Sequence, residues 1–170
     1  MGYVNLKDIC TFIPPSDIQK TAGTWTPTLS THLFYHARTA AAEAFYLMIP
    51  IKLPASNGKR QGAKLLSVDI WYKIVIGAMT DMADVTVKKL TLSANGVAVS
   101  GAAYTAFTVD ADHDTAAERK ATGDHKMTIT FTDQPYLEDD ELLYILISGE
   151  GSATAVFNLY GAQANFELKL

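Results

Sequence analysis

The amino-acid sequence predicts an all-β protein: an antiparallel β-sandwich of about eight strands that follows an extended N-terminal arm. Residues 64–76 carry the clearest evidence, because every even position from 66 to 76 is apolar while Ser67, Asp69 and Lys73 interrupt the odd positions. A period of two over so long a run is typical of a strand with one face in a core. The predicted inward residues are Leu66, Val68, Ile70, Tyr72, Ile74 and Ile76.

Most of the chain after residue 44 repeats this pattern in short runs separated by turn residues, and no convincing long helix interrupts it. Many short strands with turns between them favour a sandwich or a barrel. Bulge signals and a proline within a strand suit open sheets, so the sandwich is the preferred architecture. The best helical candidate is residues 37–45, which are marginal as an isolated helix.

Composition narrows the class of protein. The 170 residues suit one domain. Hydrophobic residues make up 48% of the chain and charged residues 19%, and this charged share is below the usual content of about 25%. We interpret part of the apolar excess as an interface. The net charge of −4 argues against a nucleic-acid partner, which requires clustered Lys and Arg.

A single cysteine, Cys10, excludes an internal disulfide, and we expect it to be a small buried hydrophobe. The N-terminus has no cationic start followed by an apolar core, so no signal peptide is expected. No apolar run is long enough to span a membrane. The sequence therefore predicts synthesis in a cytoplasm and no membrane partner.

Residues 1–42 are expected to form the arm, and residues 43–170 the sandwich domain. Pro14 and Pro15 block helix and central-strand structure, and the segment after them is rich in Thr and Ser. Its large apolar side chains must pack on something, either this chain's own sheet or a neighbouring subunit. The interface candidates from the arm are Phe12, Ile13, Trp25, Phe34 and Tyr35.

The sandwich begins with an alternating run that places Phe45, Leu47, Ile49, Ile51 and Leu53 on one face. Pro50 indicates an edge strand or a bulge there. A turn over residues 54–63 leads directly into residues 64–76, so these two strands are expected to be neighbours. The phase change in residues 84–93 predicts a bulge at Lys88-Lys89, and Asn95-Gly96 predicts a hairpin.

The later strands are predicted in the same way. Residues 102–109 form a weaker candidate, residues 110–124 a polar loop or one short helical turn, and residues 126–132 a clean strand with Met127, Ile129 and Phe131 inward. Residues 142–147 are apolar on both faces, so they are either central and covered twice, or their Tyr144/Leu146 face lies under the arm or a partner. Residues 153–170 end the chain, and Gly161-Ala162 marks either a hairpin or a bulge.

No sequence motif specifies a reaction, so we predict a protein that is not an enzyme. Asp110, Asp112 and Asp114 are spaced like the start of a calcium loop. Thr115 stands where that loop requires Gly and Ala121 where it requires Glu, which favours a solvated acidic loop. The spacing of His32 and His36 suits zinc only on a helix, which the surrounding residues disfavour. We therefore predict no cofactor.

Aromatic residues offer a different kind of site. A sugar platform needs flat, exposed rings, and the candidates are Trp25, Trp71, Tyr72, Tyr104 and Tyr136. Tyr72 lies on the apolar face of its strand and is expected in the core, whereas Trp71 lies on the mixed face and is the better exposed candidate. Trp71, Tyr144 and Leu146 are also the candidates for a patch that buries itself on a second copy.

The order of these segments resembles a known group of proteins. An arm precedes FYLMIPIKLP, then come KLLSVDIWYKIVI, LLYILISG and a final strand ending in FELKL. Over residues 43–170 the pattern is similar to the small β-sandwich virion proteins of tailed bacteriophages, which act as capsid cement or decoration proteins or as head or tail fibre stems. The resemblance implies a jelly-roll-like fold, a homotrimer, the major capsid protein as partner and a place on the virion surface.

The resemblance therefore makes a non-enzymatic capsid decoration subunit the first functional hypothesis. The second is a carbohydrate-binding or fibre domain that attaches to host-surface glycans through exposed aromatic residues.

Overall fold

A computed structural model describes residues 6–52, 63–91, 100–137 and 141–169. Within them the chain is almost entirely β, as the alternating sequence predicts. The strands are Leu6–Ile13 (β1), Gln19–Thr21 (β2), Trp25–Ser30 (β3), Leu33–Arg38 (β4), Ala44–Ile51 (β5), Ala63–Val75 (β6), Val85–Thr91 (β7), Ser100–Tyr104 (β8), Phe107–Val109 (β9), Gly123–Phe131 (β10), Tyr136–Leu137 (β11), Glu141–Glu150 (β12) and Val156–Lys169 (β13). One short helix, Ala116–Arg119 (α1), lies between β9 and β10, and none in the described ranges could cross a membrane.

The strands form two antiparallel sheets, which confirms the predicted sandwich. The larger sheet has the order β3-β4-β13-β6-β10-β9, with β1 also paired to β13 and β11 to β6. The smaller sheet has the order β2-β5-β12-β7-β8. β13 pairs along one edge with β6, while its other edge is shared between β4 and then β1.

The core lies between the sheets and is built from the inward positions of each strand. In β5 these are the predicted residues from Phe45 to Ile51, and in β10 they are Met127, Ile129 and Phe131. In β6 the predicted residues Val68 to Ile74 are buried, but the two ends differ from the prediction. Leu65 is buried in place of Leu66, and Ile76 is 68% exposed.

The exchange of Leu65 for Leu66 has a local cause. The register between β6 and β13 shifts between Asn165 and Phe166, and Leu66 is the extra residue on β6. Such a bulge reverses the faces of the strand beyond it, because side chains alternate with a period of two. The sequence prediction placed the even positions inward as far as Leu66, because periodicity alone does not show the bulge.

A second register shift distinguishes the two structures predicted for Gly161-Ala162, a hairpin and a bulge. β13 runs unbroken from Val156 to Lys169, and its pairing with β6 shifts between Leu159 and Gly161. The bulge is therefore correct and the hairpin is not. The bulge predicted at Lys88-Lys89 is wrong, because β7 pairs with β12 in one continuous register and Leu90 faces outward opposite Leu142.

Three further predictions are corrected. Residues 37–45 are not helical but belong to β4, a bend and β5, since pairing with β13 and β12 outweighs the weak local preference for helix. β5 and β6 are not neighbours and lie in different sheets. Cys10 is exposed on β1 rather than buried. Leu53 and the Asn95-Gly96 hairpin lie outside the described residues.

The N-terminal segment is extended and paired with both sheets. β1 and β4 are hydrogen-bonded to β13, and β2 is hydrogen-bonded to β5. Trp25 packs edge-on against Phe45 and Phe157, with ring centroids 5.8 and 6.0 Å away, so this side chain lies on the chain's own core. The division of the chain at residue 42 stays a prediction.

Candidate functional site

The outer face of the larger sheet brings Trp71 together with polar side chains from neighbouring strands. On β6 the outward positions around Trp71 are Asp69 and Lys73. Directly across from Trp71 lie Lys126 of β10 and Gly161 of β13. The Lys126 ammonium lies 5.7 Å from the centroid of the partly exposed Trp71 ring, on the same solvent-facing surface.

Gly161 leaves bare backbone beside Trp71. Its φ of +129° is a conformation that residues with a side chain rarely adopt. A Cβ there would lie 2.7 Å from the Ile13 carbonyl oxygen and 3.0 Å from the ring of Phe12. Phe12 thus covers Gly161 from β1 while remaining 58% exposed. Phe12 and Trp71 therefore flank a strip of β13 backbone at Gly161, where the Phe12 ring fills the space of the missing side chain.

Asp69 is the centre of a hydrogen-bonded network next to this strip. Its side chain accepts a hydrogen bond of 2.7 Å from the Thr128 hydroxyl and one of 3.3 Å from the Asn165 amide. Lys126 forms an ion pair with the same carboxylate at 3.3 Å. Asp69 is only 8% exposed, so its oxygens are fixed by these partners.

The network continues along β13. The Asn165 amide also donates to the Ser67 hydroxyl at 3.0 Å, and the Gln163 amide donates to the Asn165 oxygen at 2.8 Å. Gln163, Asn165 and Ser67 are half-buried. Their orientations are therefore set before any ligand arrives, which lowers the conformational entropy that binding would cost.

The charges on this face are paired locally. Lys126 is matched by Asp69, and Lys73 contacts Asp124 at 3.0 Å in an exposed pair. The hydrogen bond to Asp124 raises the pKa of Lys73 above its ordinary value. Around Trp71 the face therefore combines aromatic surface and polar groups without an excess of either charge.

The same face reaches a second exposed aromatic ring. Tyr136 of β11 lies opposite Lys64 at the far end of β6, and the Lys64 ammonium is 5.6 Å from its ring centroid. Seven residues separate Lys64 from Trp71, which corresponds to about 23 Å along a strand. These residues form an elongated surface that is bounded by Trp71 and Tyr136, with the Asp69 network between them.

The other aromatic candidates do not join this surface. Tyr72 is buried, as predicted; its hydroxyl donates to the Arg119 carbonyl at 2.9 Å, and burial raises its pKa. Trp25 faces the core. Tyr104 of β8 donates a hydrogen bond to Asp133, and its pKa is raised by burial and by that contact.

The residues predicted as an interface are divided among three places. Tyr144 and Leu146 lie on the outer face of the smaller sheet, opposite Pro50 and Met48 of β5, so they are on the other side of the sandwich from Trp71. Phe34 and Tyr35 lie on β4, where Tyr35 packs against Tyr160 at 5.5 Å. Ile13 is buried in the core. Their role in an interface stays a prediction.

The acidic segment Asp110 to Asp114 is built into the loop. The Asp110 carboxylate accepts hydrogen bonds from the backbone N–H groups of Asp112 and Thr128 and from the His113 ring. A side-chain hydrogen bond with Glu118 raises the pKa of Asp114. These aspartates do not converge on one point. Across the described ranges no cluster of three His, Cys, Asp or Glu side chains has a metal-binding arrangement.

Sequence reasoning selected Trp71 but missed the residues that surround it. Lys126, Gln163 and Asn165 have no motif, and they meet Asp69 only through strand pairing. The available signal was the polar outward positions of two strands whose inward positions are apolar. Phe12 was selected as an interface residue, and the structure places it beside Trp71.

Comparisons with known proteins find remote structural similarity. No protein-family model and no curated protein matches the chain. Among solved structures, TmCBM61 in complex with β-1,4-galactotriose is 13% identical with a TM-score of 0.38, covering 94% of this chain and 87% of that one. A family 11 carbohydrate-binding module from Clostridium thermocellum, in complex with a β-1,3-1,4-mixed-linked tetrasaccharide, is 10% identical with a TM-score of 0.39, covering 96% and 89%.

Proposed function

We propose that this protein is a non-catalytic carbohydrate-binding β-sandwich whose site is the outer face of the larger sheet around Trp71. The observation that carries the proposal is the adjacency of the exposed Phe12 and the partly exposed Trp71 to a pre-oriented polar network centred on Asp69.

Stacking is the first contribution. One face of a pyranose ring is apolar C–H surface, and aromatic rings supply a large, rigid area for it at little cost in conformational entropy. Trp71 is held on its strand beside Lys126, and the exposed Phe12 packs over the adjacent Gly161. A sugar ring would therefore stack on the solvent-facing surfaces of Trp71 and Phe12 and not on the backbone between them.

Hydrogen bonding is the second contribution. Sugar hydroxyls both donate and accept, so they require donors and acceptors side by side. Asp69 and Asn165 offer carboxylate and amide oxygens, while Gln163, Asn165 and Lys126 offer N–H groups. Since these groups already hold one another in place, a bound sugar meets them in a fixed arrangement.

The ligand that fits best is an extended, electrically neutral oligosaccharide. The length follows from the surface between Trp71 and Tyr136, which spans about 23 Å along β6. Neutrality follows from the pairing of Lys126 with Asp69 and of Lys73 with Asp124, which leaves no uncompensated charge near Trp71 for a sulfate or uronate.

Calorimetric titration with neutral oligosaccharides, chosen from a glycan-array screen, tests the proposal. Trp71→Ala is expected to weaken binding at least tenfold, and Asn165→Ala to weaken it severalfold through the lost hydrogen bonds. Tyr46→Ala is the control, because Tyr46 is an exposed aromatic residue on the smaller sheet, away from the proposed site. An array without any bound glycan, or equal loss in Trp71→Ala and Tyr46→Ala, would contradict the proposal.

A second candidate function is that of a virion subunit, as the sequence resemblance implies. The observation in its favour is the β3–β4 hairpin, where Leu29 is 81% exposed and Leu33 and Phe34 are about half exposed. Such side chains suit burial on another protein. The expected result is co-purification with particles that is lost in a variant with Ser at these three positions, and a monomer found only free in solution would argue against it.

A further inference from the structure

Beneath the β10 strand, on the core side of the larger sheet, lies a chain of hydrogen bonds through two histidines. The Asp110 carboxylate is 2.7 Å from Nδ1 of His113, and Nε2 of His113 is 3.1 Å from Nδ1 of His125. Nε2 of His125 is 2.9 Å from the Ala121 carbonyl oxygen. His113 is only 7% exposed, and Tyr72 stacks on the His125 ring at a centroid distance of 4.6 Å.

Counting protons along this chain gives a definite result. A carboxylate stands at one end and a carbonyl at the other, and both can only accept, so Nδ1 of His113 and Nε2 of His125 must each carry a proton. The contact between the two rings needs one further proton. Three hydrogen bonds therefore require three ring protons, whereas two neutral imidazoles supply only two.

We propose that the His113–His125 pair holds one excess proton at neutral pH, and that this proton fastens the loop 110–122 to the sandwich. The imidazolium is His113, because Nδ1 of this ring faces the Asp110 carboxylate directly. His125 is the neutral partner. Burial lowers its pKa, the charge of His113 acts in the same direction, and the hydrogen bond to Ala121 only partly offsets both.

The charged groups around the pair are consistent with a single positive charge. From the loop and α1, the pair is faced by the carboxylates of Asp110 and Glu118, while the Arg119 guanidinium donates to the His113 carbonyl oxygen.

From the strands, Asp124 of β10 favours a proton on His125, and Tyr72 of β6 packs against both rings with its hydroxyl turned to the Arg119 carbonyl.

The same loop is hydrogen-bonded to the segment before β7 through Arg119. The buried Arg119 donates to the carbonyl oxygens of Met82 and Ala83 at 2.9 and 2.7 Å, and to those of His113 and Asp114 at 2.8 and 2.9 Å. The histidine pair and Arg119, together called the clasp, thus join the segment after β6, the loop before α1 and the start of β10. Releasing the excess proton removes the hydrogen bond between the rings, which loosens this junction.

The proposal fixes the sign of the pH dependence. Below about pH 6.5, the ordinary histidine pKa, an unfolded chain binds a proton at each histidine while the folded pair binds one, so acid favours unfolding. The lowered pKa of His125 therefore makes the unfolding equilibrium constant rise by up to about tenfold for each pH unit below about 6.5.

Long-range ¹H–¹⁵N correlation spectra of the histidine rings in the full chain test the proton count directly. At pH 7 we expect three of the four ring nitrogens of the pair to be protonated, with His113 showing the pattern of an imidazolium. Two neutral rings, or a pair with two excess protons, would overturn the proposal.

Denaturation between pH 5.5 and 8.5 provides the second measurement, at pH values chosen about the ordinary histidine pKa. His125→Gln is expected to flatten the stability profile, while the exposed His32→Gln in the turn after β3 retains the wild-type loss of stability below about pH 6.5. If His125→Gln does not fold, the wild-type spectra still decide. A wild-type profile that is flat across this range, or one shared by both variants, would contradict the clasp.

Discussion

Replacing Gly161 with alanine tests how the fold and the proposed glycan surface depend on one bulge. At φ +129° a residue with a side chain costs about 1–3 kcal/mol. The new Cβ would also lie 2.7 Å from the Ile13 carbonyl oxygen and 3.0 Å from the Phe12 ring, and such overpacking against backbone adds about 1–3 kcal/mol. We therefore expect Gly161→Ala to lower the free energy of unfolding by about 4 kcal/mol.

Gly123 offers a matched control on β10 of the same sheet. Its φ is +147°, but no atom lies within 4 Å of a Cβ built there. Gly123→Ala should show the backbone cost alone, about 2 kcal/mol, and the difference between the two variants isolates the contact at Gly161. Urea denaturation followed by tryptophan fluorescence measures both. Equal losses in the two variants, or a loss below about 1 kcal/mol for Gly161→Ala, would refute the reasoning.

Three further predictions concern the stability of the sandwich. Arg119→Met should cost about 3 kcal/mol, because the buried guanidinium donates to four backbone carbonyls, while Lys120→Met at the more exposed neighbouring position should cost under about 1 kcal/mol in the same denaturation assay. Trp25→Ala should cost about 3 kcal/mol through lost packing on two core phenylalanines, and Leu29→Ala almost nothing, with similar losses in both counting against the packing of Trp25 on this chain. The pKa of Asp110 is lowered, because its hydrogen bonds outweigh the opposing effect of burial, so its carboxylate stabilises the fold above about pH 3.8 and that contribution is lost as the pH falls through the folded value. Asp110→Asn should lose less stability than the wild type as the pH falls below about 3.8, as measured by thermal unfolding.

The inward faces of the strands were predictable because each is a local property of the sequence. Phe45, Leu47 and Ile49 alternate without interruption, and so do Met127, Ile129 and Phe131, and all six are buried. Trp71 was predictable for the same reason, since it stands at an outward position of an otherwise apolar strand. Period two is imposed by strand geometry, so it needs no knowledge of the partner strand.

Features that depend on pairing between distant segments were not predictable. The slip from Leu66 to Leu65 arises from a bulge against β13, a hundred residues further along the chain. Phe12, Trp71 and Gly161 meet only because β1 and β6 both pair with β13. Polar residues such as Asn165 and Lys126 are unremarkable in sequence, and their chemistry arises from the neighbours that the sheet provides.

The position of β13 has a consequence for how the protein folds. Three strands from the first half of the chain, β1, β4 and β6, hydrogen-bond to this one segment at residues 156–169. Their ladders therefore cannot close until it is available, and the contacts that complete the larger sheet span most of the chain. Topologies dominated by such distant pairings fold slowly. During synthesis the edges of β4 and β6 remain open until residues 156–169 have left the ribosome, so this is the interval in which the nascent chain is most exposed to misassociation through unpaired strands.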